Sequence, residues 1–199
     1  MSSRLGEGDA NHLKIRYEVA RAELAYRQDD FATAREWADQ ALVTRGEFGE
    51  VDHTIAFQLE GLVSMLMRKE NQIALVRAHA KKALDALTLG GGGSFCPHMG
   101  FIGIFESLFE ELEHTPHLSR SLLSTHRLAI KTLRTQQRIR PYVRPLYELY
   151  KGKLKLHAGR IAEARRDYLR GLMRARELNG PWEIGLLERS LEELEERHG

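Results

Sequence analysis

The stretch Tyr150-Lys151-Gly152-Lys153-Leu154-Lys155-Leu156-His157-Ala158-Gly159-Arg160-Ile161-Ala162-Glu163-Ala164-Arg165-Arg166-Asp167-Tyr168-Leu169-Arg170-Gly171-Leu172 reads as two helices joined by the polar turn Ala158-Gly159-Arg160. Its second half has a counterpart near the start of the chain. Ile161-Ala162-Glu163-Ala164-Arg165 aligns with Phe31-Ala32-Thr33-Ala34-Arg35, and both follow a polar turn and open a helix. Seven positions after the second alanine each reaches a small residue, Ala41 or Gly171, and then Leu42 or Leu172. The frame also fits Ile73, Val76, Ala80, Ala83 and Leu84, and more weakly Leu118, Ser121, Thr125 and Leu128. The aligned starts, 31, 73, 118 and 161, recur at intervals of 42, 45 and 43 residues. Two antiparallel helices approach closely only where one offers Ala or Gly. A single pair cannot bury both its faces, so neighbouring pairs must stack.

Helical periodicity fills in the remainder. Leu13, Tyr17, Ala20 and Leu24 predict the inward face of a first helix that starts near Asn11 and stops at Gln28-Asp29-Asp30. A second helix opens at Phe31. A third runs over about 51–68, with Ile55, Leu59, Leu62 and Leu66 inward, and a fourth spans about 72–88. Phe101, Phe105 and Phe109, at i, i+4 and i+8, mark the buried face of a fifth. The sixth to ninth cover roughly 117–137, 145–157, 161–178 and 182–197, with Asn179-Gly180-Pro181 as a stop-and-restart signal. No convincing strand is present. The expected fold is an all-α solenoid of about four antiparallel helix pairs plus a C-terminal capping helix.

Composition agrees. Of 199 residues, 42% are hydrophobic and 29% charged, enough for one real core and too apolar for a disordered chain. The small aromatic and Pro content argues against a sandwich or barrel. A single cysteine, Cys96, excludes a disulfide-stapled secreted fold. The first residues lack a signal-peptide core, and no apolar run is long enough to cross a membrane, so a cytoplasmic protein without a membrane partner is expected. The net charge of +2 conceals an asymmetry. Residues 1–119 carry 12 Lys/Arg against 18 Asp/Glu, residues 120–176 carry 16 against 3, and residues 177–199 carry 2 against 7. Such a basic block either pairs with its acidic flanks, the reading placed first, or attracts an anionic partner.

Gly152, Gly159, Ile161, Ala164, Tyr168 and Gly171, with Phe31, Ala34, Ala41 and Leu42, resemble the signature of tetratricopeptide repeats. The period exceeds the family's usual 34 residues. In this it is similar to the repeat arrays attached to signal-transduction ATPases and some adenylyl cyclases, as is the segment Ala175–Glu183. The third copy lacks most signature residues. The resemblance covers about 11–197 and implies a protein-binding array whose first helices line an inner groove. Carried onto this chain, that groove takes Arg16, Glu23, Tyr26 and Arg27 from the first pair, Gln58 and Arg68 from the second, and Tyr150, Lys153 and His157 from the fourth. The Lys/Asn/Asn/Lys/Arg set that clamps chaperone C-termini is not found, so such a ligand is not expected.

Little points to catalysis. Cys96-Pro97-His98 and the His114/His117 pair fall short of the four spaced ligands of a zinc site. Cys96 has no well-placed base, and Gly90–Gly93 lacks the rest of a phosphate loop. No catalytic residue, metal or cofactor is assigned. The basic block is the feature with functional potential. Arg127, Lys131, Arg134 and Arg138 share one helix face at spacings of 4, 3 and 4, and Arg140 and Arg144 follow. Arg134, Arg138 and Arg144 join the partner-binding set. The expected activity is a non-catalytic scaffold for a protein or peptide of acidic character. The alternative is nucleic-acid binding through residues 120–176, for which Tyr142, Tyr147 and Tyr150 are the only aromatics in place. Along the chain, residues 1–10 form a flexible N-terminus and 11–88 the first two helix pairs. Residues 89–98 form a Gly-rich loop that looks like an engineered linker, a natural glycine loop being the other reading, and 99–199 hold the remaining pairs and the cap. The ninth helix, with Trp182, Ile184, Leu186, Leu187, Leu191 and Leu194 opposite glutamates, either caps the stack or pairs with a second copy as a homodimer.

Overall fold

The computed structural model describes residues 4–48, 52–89, 98–114 and 120–198. These residues form the helices α1 (Arg4–Arg27), α2 (Phe31–Phe48), α3 (His53–Lys69), α4 (Ile73–Leu89), α5 (His98–His114), α6 (Arg120–Ile139), α7 (Val143–His157), α8 (Ile161–Glu177) and α9 (Pro181–His198). No strand occurs among them. The fold is all-α, with successive helices packed as close pairs. The chain divides into two compact units, one ending at Leu108 and the other beginning at Phe109. That division falls inside α5. The Gly-rich string Gly90–Ser94, Cys96 and the start of the weak third copy at Leu118 lie outside the described residues.

One backbone device closes four of the hairpins. Asp29, Asn71, Gly159 and Asn179 have φ of 59°, 58°, 73° and 51°, each two residues before the next helix. In every case the following residue returns its N–H to a carbonyl five residues back. These bonds are Asp30 to Ala25 (3.0 Å), Gln72 to Met67 (2.9 Å), Arg160 to Lys155 (2.9 Å) and Gly180 to Ala175 (3.0 Å). This is the Schellman closure, which needs a residue tolerant of left-handed backbone, and Asn, Asp and Gly are the residues that supply it. Asp30 then caps α2, its Oδ1 accepting from the Thr33 N–H at 3.1 Å.

In the first unit, α1 and α2 meet through small side chains. Ala22, Ala34, Ala38 and Ala41 have no exposed surface. The hydroxyl of Thr44, late in α2, donates to Glu18 at 3.1 Å, while Tyr26, late in α1, packs edge-on against Phe31 at 5.2 Å, so the two helices are antiparallel. The inward face of α1 differs from the one expected. Ile15, Glu18, Val19, Ala22 and Ala25 are buried, whereas Leu13, Tyr17 and Leu24 are 65%, 56% and 51% exposed. Both stripes have helical spacing. The alanine row of α2 selects the one carrying Ala22 and Ala25, because only short side chains let the axes close up. Tyr17 instead lies edge-on to Trp37, and Arg21 covers that indole at 5.3 Å.

Helix α3 is the centre of this unit. Ile55, Leu59, Leu62 and Leu66 are buried as expected, and so is nearly every residue from Ile55 to Met67. Its Ser64 hydroxyl donates to the Val76 carbonyl of α4 at 3.1 Å, beside the buried Ala80 and Ala83. Ile73, at the head of α4, is 41% exposed rather than inward. On the other side α3 crosses the start of α5 at glycines. A Cβ on Gly103 would lie 2.3 Å from the Gly61 carbonyl oxygen, and one on Gly61 would lie 2.8 Å from that of Gly100. Phe101 stands 4.8 Å from Phe57 across the same seam.

In the second unit, Phe109 stacks on Tyr150 at 4.6 Å and tilts over His126 at 4.9 Å. The small-residue contacts read from the repeat are present. A Cβ on Gly152 would strike the Tyr168 ring at 2.4 Å, and one on Gly171 would meet Leu187 at 2.8 Å. The weak third copy is out of register. His126, Ala129, Leu133 and Gln136 are buried among the described side chains of α6, while Thr125 is half-buried and Leu128 is 45% exposed. The frame therefore falls one residue later than the spacing of leucines predicts, because an alanine, not a leucine, occupies the close contact.

Gly103→Ala should destabilise the chain by about 1–3 kcal/mol, the usual range for overpacking, because the added methyl meets backbone that cannot turn aside. Gly46→Ala, on α2 with nothing within 4 Å, should raise stability by roughly 0.5–1 kcal/mol through helix propensity alone. Urea unfolding of the two single variants measures both.

Candidate functional site

A groove of about 300 Å³ runs between α1 and α3, which lie side by side in parallel. Arg16, Val19, Ala20 and Glu23 line it from α1, at i, i+3, i+4 and i+7, and Thr54, Ile55 and Gln58 line it from α3. Its floor is apolar, and its rim carries a cation, a carboxylate and an amide. Arg16 is held at the mouth by Asp52, 3.2 Å away. Asp52 also caps α3, accepting from the Thr54 N–H at 2.7 Å. Burial works against its charge, but these hydrogen bonds and Arg16 outweigh that and hold its carboxyl below the ordinary range. Three of the residues assigned to the inner groove, Arg16, Glu23 and Gln58, are thus brought together. Val19, Ala20, Thr54 and Ile55 were missed as lining residues, although the i, i+3, i+4, i+7 spacing through Arg16 contains the first two.

The other expected groove residues lie elsewhere. Tyr26 is half-buried against Phe31, and burial, with Glu106 adding to it, pushes its phenol up to about 12. Arg68 is half-buried on α3, and its charge acts on Tyr26 in the opposite sense. Arg27 is exposed at the end of α1. In the second unit, Lys153 and His157 are half-buried on α7, and Arg144 is exposed, its Nε donating to the Gln137 carbonyl at 3.5 Å. Tyr150 is a correction. At 1% exposed and stacked on Phe109, its ring is core and offers no surface to a partner. Its place in the first helix of a hairpin fits a lining position, but the facing Phe109 closes over it.

The basic segment separates into two populations. On α7 and α8 most of the cations are paired with carboxylates. Asp167 is fully buried and receives Lys155 at 2.7 Å, Lys151 at 3.1 Å and Arg170 at 2.5 Å. Burial opposes its ionisation, but the lysine hydrogen bonds and charges outweigh burial and hold its carboxyl below the usual range. Arg165 reaches Glu195 at 3.4 Å and Arg176 reaches Glu188 at 2.9 Å on α9, and Arg174 reaches Glu177 at 2.8 Å. The acidic last helix neutralises its neighbour, as the internal-pairing reading expects.

Helix α6 is different. Its sequence contains no Asp or Glu. Arg127, Lys131, Arg134 and Arg138 are all exposed, and none forms an ion pair among the described residues. Three successive like-charge pairs at i, i+4 or i, i+3 each cost roughly 0.2–0.5 kcal/mol in an isolated helix. Arg140 is the exception in the block, buried with its guanidinium donating to Gln136.

A second buried carboxylate, Glu60 on α3, was also missed. Arg45 of α2 lies 2.5 Å from it and His79 of α4 lies 2.6 Å from it, so one side chain ties three helices. Burial raises its affinity for a proton, but the His79 and Arg45 hydrogen bonds hold its carboxyl below the ordinary range. Both carboxylates sit in helical runs where an acid looks like solvated surface. What marks Asp167 in the sequence is its isolation among Arg165, Arg166 and Arg170. No cluster of three or more His, Cys, Asp or Glu able to hold a metal occurs among the described residues, and no described helix is long and apolar enough to cross a membrane. The side chains of His98 and His114, with His117, lie outside them. Helix α9 buries Leu187 and Leu194 and exposes Glu192, Glu193, Glu195 and Glu196.

Compared with known proteins, the chain matches no family model, no curated protein and no solved structure.

Glu60 and Asp167 are charged in the fold at pH values where the unfolded chain already binds protons. Their contribution to stability should be complete above 4.5, the ordinary glutamate value, and lost as pH falls through their depressed folded-state values. Asp167→Asn should cost about 2 kcal/mol at neutral pH, the scale of hydrogen bonds to charged groups. It should also flatten the acid limb of a stability–pH curve recorded by thermal melting.

Proposed function

We propose that this chain is a non-catalytic protein-interaction module of the tetratricopeptide-repeat kind, which holds an extended or helical segment of a partner in the groove between α1 and α3. The observation that carries the reading is the lining of that groove. Arg16, Glu23 and Gln58, placed there by the repeat frame, stand over a floor of Val19, Ala20 and Ile55. An apolar floor with a few convergent polar groups is the usual make-up of a binding cleft. The repeated left-handed turns at Asp29, Asn71, Gly159 and Asn179 support the repeat assignment, since they recur at the same point before each following helix. The acidic character expected of a partner rests on the basic segment 120–176, outside this groove, where Arg127, Lys131, Arg134 and Arg138 are exposed and form no ion pair among the described residues. The single cysteine and the exposed charge suit a reducing, cytoplasmic setting.

Site-specific photo-crosslinking in the native host tests this. A benzoylphenylalanine at position 58, in the groove, should give a discrete protein adduct that Arg16→Glu diminishes. The same probe at position 81, exposed on α4, should not. Equal adducts at both positions, or label transferred to RNA from position 58, would overturn the assignment.

A further inference from the structure

We propose that the outward face of α6 is a second docking surface, separate from the α1/α3 groove, and that its ligand is an acidic amphipathic helix of a partner protein. Arg127, Lys131, Arg134 and Arg138 stand in one exposed row, and at the helical rise of 1.5 Å per residue the row is about 16 Å long. A helix bearing carboxylates at i, i+4, i+7 and i+11 presents negative charge at the same pitch. Beside the row run the exposed Ser124 and Thr135, and beyond them Leu128 and Ile139, 45% and 61% exposed. The face therefore pairs a cationic stripe with an apolar edge, the complement of a helix that carries acids on one stripe and aliphatic residues on the next.

Three observations favour that occupant. The row has no counter-charge of its own, because α6 lacks acidic residues, whereas Lys151, Lys155, Arg165, Arg170 and Arg176 of α7 and α8 reach Asp167, Glu195 or Glu188. Like charges held three and four residues apart repel, so the row is maintained against the helix's own stability, and bound carboxylates relieve it. A nucleic-acid strand would neutralise the cations but leave Leu128 and Ile139 uncovered. It would also find no exposed aromatic on α6 to stack a base. The acidic α9 of a second copy is a poorer match. Two of its carboxylates with the required spacing, Glu188 and Glu195, are already bound to Arg176 and Arg165.

The test uses the full chain and three fluorescent probes at one moderate salt concentration. The first is a synthetic helix-forming peptide with Glu at i, i+4, i+7 and i+11 and Leu on the adjoining stripe. The second is a composition-matched isomer with these residues scattered around the helix, and the third is single-stranded poly(U) RNA. The patterned peptide should bind about tenfold more tightly than its isomer, and its affinity should fall as salt rises. Arg134→Glu/Arg138→Glu should lose that preference while keeping the crosslink at position 58, which separates this surface from the groove. Lys131→Glu should weaken binding yet raise the melting temperature, a combination that misfolding cannot produce. Equal binding of patterned and scattered peptides, or tighter binding of poly(U), overturns the proposal. So does self-association of the free chain, seen by light scattering and abolished by the double reversal.

Discussion

Close approach of paired helices at positions that admit only Ala or Gly is the constraint on which the remaining contacts depend. Ala22 against the alanine row of α2, Gly61 against Gly100 and Gly103, and Gly152 beneath Tyr168 each set a separation that a larger side chain would forbid. Once the axes are that near, the flanking residues have little freedom. Leu13, Tyr17 and Leu24 turn outward on α1 because Ile15, Val19 and Ala22 occupy the seam. Groups that would be too far apart in a looser pair then come within reach, Thr44 of Glu18 and Lys155 of Asp167 among them. The groove itself has the same origin. With α2 drawn against α1 and α4 against α3, the exposed edges of α1 and α3 are left side by side, with Arg16, Glu23 and Gln58 along them.

Charge is handled in two ways. Where carboxylates are buried, they are surrounded. Glu60 joins α2, α3 and α4 through Arg45 and His79, and Asp167 gathers three cations. Removing one partner from such a cluster strands the rest, which is why ion pairs of this kind fix an arrangement more than they add stability. On α6 the opposite holds, with Arg127, Lys131, Arg134 and Arg138 exposed where no carboxylate among the described residues answers them. An even scatter of charge would have suited solubility alone. The contrast between the largely paired cations of α8 and the unanswered row on α6 marks off one surface from the others.

Much of the fold was legible in the sequence. The turn at Ala158-Gly159-Arg160, the helix starts at Phe31 and Ile161, and the small residues at 41, 152 and 171 are local signals, and local geometry follows from them. What failed were choices between two equally periodic faces. On α1, leucines and a tyrosine outweigh alanines in any hydrophobic count, yet the alanines won, since the partner's shape decides and not the size of the side chain. The same preference shifted the frame of α6 by one residue, to Ala129 in place of Leu128. In the groove, Arg16, Glu23 and Gln58 were found from the repeat frame, but Tyr150 was not recognisable as core. Its burial depends on Phe109, forty-one positions away, and no local pattern reports that. Asp167 was hidden for a related reason, because a helix as rich in charge as α8 looks the same whether or not a neighbour covers it, and Glu60, the single acid of α3, falls between the positions of its expected inward face.

The acid-free composition of α6 gives dissolved ions two opposed jobs. Added electrolyte shields the arginines and the lysine from one another and so firms the unliganded helix, while the same shielding loosens whatever anionic segment sits on it. Dilute buffer does the reverse, loosening α6 when it is empty and making it more receptive when a ligand arrives. Amide exchange along α6 would then slow with ionic strength in the free protein and quicken with it in the complex.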